Sequence, residues 1–86
     1  MSNIIAGQNF AERMKAIRSA LYEIGKGPLG SEETGNHLTA IVSHLRFQIR
    51  IAQTESQFVQ ARALLTVALH TQVRHTYAVL AIREEV

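Results

Sequence analysis

From Asn36 to Val86 the chain contains neither glycine nor proline; all five glycines and the single proline lie at or before Gly35. Fifty-one consecutive residues without either breaker leave few ways to build tight turns. Hairpins draw on glycine for positive φ, and proline sets the commonest reverse turns. The punctuation therefore predicts long helices over the C-terminal three-fifths of the chain and an all-α fold, either a small helical bundle or a helical hairpin.

One stretch resists that reading. In "RFQIRIAQ" Arg46, Gln48 and Arg50 alternate with Phe47, Ile49 and Ile51, the pattern of a strand with one wet and one buried face. Thr, Val and Tyr are dense between residues 71 and 82, which also suits a strand. An α+β alternative with strands near 46–53 and 72–82 follows from these two stretches. On a helical wheel the same letters form two apolar rows about 200° apart. One row holds Leu38, Val42, Leu45, Ile49, Ala52, Val59 and Ala63. The other holds Phe47, Ile51, Phe58 and Leu65. Ser43, Arg46, Arg50, Gln53, Gln57 and Gln60 make a polar seam between them.

The first helix is expected over about residues 8–25. Phe10, Met14, Ile17, Leu21 and Ile24 recur at steps of four and three, one continuous stripe. Asn9 suits the N-cap, and Gly25 or Gly27 suits a left-handed close. A loop is expected from about 25 to 36, with Ser31 able to cap a short turn. A long helix or helix pair, started by Asn36, is expected from about 37 onward. "AQTESQF" is the expected interruption, because Thr54 and Gln57 have capping-box spacing. "HTQ" at residues 70–72 is a second candidate break. Beyond it Leu65, Leu69, Val73, Tyr77 and Leu80 continue a helical row.

Eighty-six residues make one domain, 1–86, and a chain this short buries only about 60–65% of its unfolded surface. Small chains commonly add a disulfide, a metal or a partner chain. The absence of cysteine excludes a disulfide and a thiolate metal site. Two apolar rows on one helix also call for more cover than one neighbour provides. A homodimer or higher homo-oligomer is therefore expected. The apolar patch "NIIAG" is far too short for the core of a secretion signal, and the run from Tyr77 to Ile82 is far too short for a membrane span. The expectation is a cytoplasmic protein with no membrane association.

No arrangement of residues in the sequence carries recognisable active-site chemistry. "GKGPLGS" lacks the Gly, four residues, Gly-Lys-Ser/Thr spacing of a phosphate loop. His37 and His44 lie two helical turns apart, and His70 and His75 are badly spaced for chelation. The carboxylates are scattered or paired in loop and tail. No enzyme, cofactor or metal is expected. The best lead is the arginine content: seven of the nine cations are arginine, which pairs bidentately with carboxylate and phosphate and suits interfaces. The expected partner-binding set is Arg46, Phe47, Arg50, Ile51, Phe58 and Arg62, since aromatics and arginine dominate interface energetics. An excess of apolar helical surface with no active-site chemistry points to a non-catalytic adaptor or inhibitor that occludes a larger protein; in size and lack of a site the chain resembles small accessory proteins of phages and plasmids that act in this way. The alternative is nucleic-acid or nucleotide binding across an oligomer, with Arg46, Arg50, Gln53 and Gln57 as anion contacts. The net charge of +2 gives that alternative little general support.

Overall fold

The computed structural model describes residues 9–84. The "NIIAG" patch, Gln8, where the first helix is expected to begin, and the last two residues, Glu85 and Val86, lie outside them. Three helices follow one another: α1 (Phe10–Lys26), α2 (Glu32–Ile51) and α3 (Glu55–Glu84). There is no strand among the described residues. The all-α reading holds, and the strands considered at 46–53 and 72–82 are helix instead, except where the chain leaves α2 at Ala52 and Gln53.

Both α2 and α3 pack on each other, and α1 packs on α3. Gly35, near the start of α2, lies against His75 late in α3, so those two helices are antiparallel. Phe10 and Arg13 of α1 sit beside Ile51 and Gln57 at the α2–α3 elbow, and Leu21 and Tyr22 lie beside Leu64 and Val67. The chain therefore runs up, down and up. At 1.5 Å per residue α3 is about 45 Å long and spans nearly the whole 48 Å length of the molecule.

Each helix starts where local chemistry allows it. Asn9 Oδ1 accepts from the Glu12 N–H at 2.8 Å, and the Glu12 carboxylate accepts from the Asn9 N–H at 3.3 Å. This reciprocal pair satisfies two otherwise orphaned donors. Ser31, rather than Asn36, caps α2: its Oγ accepts from the Thr34 N–H at 3.1 Å, with Glu32 and Glu33 in the positive first turn. The loop before α2 is correspondingly shorter than expected. Thr54 caps α3 by accepting from the Gln57 N–H at 3.1 Å, while the Gln57 side chain accepts from the Gln53 N–H at 2.9 Å. The expected box thus forms with its return bond one residue early.

Two glycine assignments change. Gly25 and Gly35 lie inside helices, and Gly27 closes α1 in an extended conformation with φ −90°. Among the described residues only Gly30 takes positive φ, at 110°. Gly35 is tolerated within α2 because a Cβ there would come within 2.9 Å of His75 Nε2; tertiary contact outweighs helix propensity. "HTQ" is no break either. Thr71 and Thr76 donate their hydroxyls to the Val67 and Gln72 carbonyls one turn back, at 2.9 and 3.0 Å, and α3 continues.

The core comprises Met14, Ile17 and Leu21 of α1, Leu38, Ile41, Val42 and Leu45 of α2, and Ala61, Leu64 and Ala68 of α3. The interruption at residues 52–54 resets the helical phase. Val59 and Ala63, expected on the Leu38 face, are therefore exposed, and α3 instead buries Ala61, Leu64, Ala68 and Thr71. The small residues Ala61, Ala68 and Thr71 on this side let two neighbours approach one helix closely.

Candidate interaction surface at the elbow

The break between α2 and α3 turns the expected continuous seam into two parts. Arg46, Phe47, Arg50 and Ile51 occupy the last turns of α2, and Phe58 and Arg62 the first turns of α3. On α2 the core stripe of Leu38, Ile41, Val42 and Leu45 fixes the inward direction. At 100° per residue Phe47 then points almost directly away from it, with Ile51 one turn further along the same outer flank. Phe47 and Ile51 each leave 46% of their surface in water. Arg46 and Arg50, also exposed, flank them one turn apart. The Arg62 guanidinium lies 6.0 Å from the Phe58 ring centroid, within cation–π range.

The second expected row, Phe47, Ile51, Phe58 and Leu65, divides between surface and core. Phe47, Ile51 and Phe58 are all exposed, whereas Leu65 packs at the edge of the core.

The elbow also encloses a crevice of about 170 Å³ lined by Phe10, Arg13, Gln48, Ile51, Gln53 and Gln57. Gln48 is buried although sequence alternation placed it on a wet face. Its Nε2 lies 3.5 Å from His44 Nε2. Burial, and secondarily the positive charge of Arg13, lowers the His44 pKa below its ordinary value of 6.5. Arg13, 5.9 Å from the Phe10 ring centroid, brings a cation to this end of the bundle from α1. The sequence alone gave no reason to join it to Gln48 and His44, because the three meet only when α1 folds onto the others.

Of the expected anion contacts, Gln53 and Gln57 line the crevice, while Arg46 and Arg50 stand outside it on α2. The Gln57 side-chain oxygen and the Gln53 backbone N–H are already committed to capping α3, leaving the side-chain amide nitrogens of Gln53 and Gln57 as donors for a ligand. Among the described residues no group of three metal-ligating side chains converges, and no helix is long and apolar enough to cross a membrane. Compared with protein families, curated proteins and solved structures, the chain matches none.

Proposed function

We propose that this protein is a non-catalytic binding module, an adaptor or inhibitor, that docks on a larger protein through the outer flank of α2 at the elbow and occludes the surface it covers. The observation that carries this reading is Phe47, half in water on the side of α2 away from its own core, with Ile51 equally exposed between that flank and the crevice. Burying an aromatic and an aliphatic side chain without assistance from the chain's own fold is what a partner surface does best. The arginines beside them, Arg46 and Arg50, supply charge complementarity at the rim and set orientation more than affinity. Phe58 with Arg62 continues the apolar and cationic character onto α3.

The test is affinity capture with the intact chain and with the double variant F47A/I51A, followed by quantitative mass spectrometry of bound proteins. The reading expects one defined partner, lost at least tenfold in the variant, with helicity and melting temperature nearly unchanged. Equal capture by both proteins would remove the basis for the elbow surface.

A second reading has one specific observation in its favour. Arg46 and Arg50 are exposed and engage no carboxylate among the described residues, so they remain available to phosphate. Nucleic-acid or nucleotide binding through them would weaken steeply between low and physiological salt, in proportion to the phosphates contacted. No detectable affinity for DNA, RNA or nucleotides at low salt would exclude it.

A further inference from the structure

α3 is apolar on two sides. One side packs on α1 and α2. On the other, Val59, Leu69, Val73, Tyr77 and Leu80 leave between 36% and 69% of their surfaces exposed. At 100° per residue they cluster, with Arg62, Thr66 and His70, within about 50° of a single line along the helix. The positions step by three and four, the spacing by which one helix packs against another. Nothing in α1 or α2 lies over this line, because the buried residues Ala61, Leu64, Ala68 and Thr71 mark the opposite side.

The spacing of the line is palindromic about the midpoint between Leu69 and His70. Val59 and Leu80 are equidistant from it, as are Arg62 and Tyr77, Thr66 and Val73, and Leu69 and His70 themselves. A line spaced by threes and fours maps onto itself when reversed, so it admits a two-fold axis perpendicular to the helix, and about this midpoint that axis brings the cation Arg62 opposite the ring of Tyr77. We propose that two copies of this chain pair antiparallel along α3, with the two-fold axis passing between Leu69 and His70.

In that arrangement Val59 of each copy packs against Leu80 of the other, and Thr66 against Val73. Arg62, the one permanent cation on the line, meets the ring of Tyr77, an electrostatically favourable neighbour. The two Arg62 residues stay about 22 Å apart, so they do not repel at contact range. A parallel pairing would instead place Arg62 against Arg62 and leave each Tyr77 without a cation. Glu55 and Glu84 meet only at the solvent-exposed outer ends, beyond the apolar stretch. The seam covers about 31 Å of helix; it takes in Arg62, at the edge of the elbow surface, and leaves Phe47 and Ile51 of α2 outside it.

The chain has no cysteine, so single introduced thiols read out the register directly. With helix axes about 9 Å apart, His70 and its copy place their Cα atoms about 6 Å apart, within disulfide reach. Val59 lies about 31 Å from its own copy but beside Leu80 of the partner. Under mild oxidation H70C is expected to cross-link to itself, V59C alone is not, and an equimolar mixture of V59C and L80C is expected to yield the mixed dimer. Light scattering at micromolar concentration is expected to give twice the 9.6 kDa chain mass, and V73E, at an exposed position, to return it to 9.6 kDa with helicity retained by circular dichroism. Self-cross-linking of V59C to the extent of H70C would overturn the antiparallel register. A monomeric mass for the unmodified chain would overturn the dimer, and F47A/I51A separates the two proposals by leaving the dimer mass unchanged.

Discussion

Gly30 holds a φ of 110°, and a Cβ added there would stand 2.8 Å from Ile82 Cδ1. Its N–H donates to His75 Nδ1 at 3.0 Å, which ties the α1–α2 loop to the far end of α3. Gly30→Ala therefore meets backbone strain and a steric clash together, and urea titration is expected to show a loss of about 1–3 kcal/mol. At His44 the expected effect depends on pH. Its folded pKa lies below the ordinary 6.5 it would have in the unfolded chain. As pH falls through that value the unfolded chain takes up a proton that the folded one resists, so stability falls too. The loss levels off once the pH is below the lowered folded value, and by about pH 8 this group contributes almost no slope. Melting temperatures measured from pH 8 to 5 are expected to decline less steeply in His44→Gln than in the parent.

At the scale of the element, α3 depends on small side chains where it meets its neighbours. Ala61 and Ala68 are fully buried, and each leaves room for the larger residues of α1 and α2. Ala68→Leu adds three carbons to a filled space and is expected to cost about 1–3 kcal/mol by chemical denaturation. The start of the helix rests on one hydroxyl: Thr54→Ala removes the acceptor for the Gln57 N–H and is expected to lower stability by about 1 kcal/mol. Thr54→Ser, which keeps the acceptor, is expected to restore most of it. Recovery by serine distinguishes the cap from simple loss of side-chain packing.

For the whole molecule, the elbow and the outer face of α3 place apolar surface where the bundle itself gains nothing from it. Phe47→Ala is expected to change unfolding free energy by less than about 1 kcal/mol, since half of the ring already meets water. Met14→Ala, at a side chain only 1% exposed, is expected to cost about 2–5 kcal/mol in the same assay. If Phe47→Ala proved as destabilising as Met14→Ala, the elbow flank would have to be counted as core and its role as a docking surface abandoned.

Much of the architecture was written locally. The stripe from Phe10 to Ile24, the Asn9 and Thr54 caps and the lack of glycine and proline beyond Gly35 determine three helices and the break between the last two, because capping and amphipathic spacing act within a few residues. The alternation of "RFQIRIAQ" could not choose helix over strand, since both periods fit it. The antiparallel packing of α2 on α3 made that choice, burying Gln48 and Leu45 while turning Phe47 outward. Sequence also supplied the candidate elbow residues by type, as exposed-capable aromatics and arginines, but it placed Gln53 and Gln57 in a seam that their capping bonds divide. The phase of α3 was illegible for a physical reason: it is apolar on two sides, so composition along the helix gives no preferred inward direction. Only the contacts of Ala61, Leu64 and Ala68 with the other helices decide which side is core, and thereby which side Val59, Val73 and Leu80 present to water.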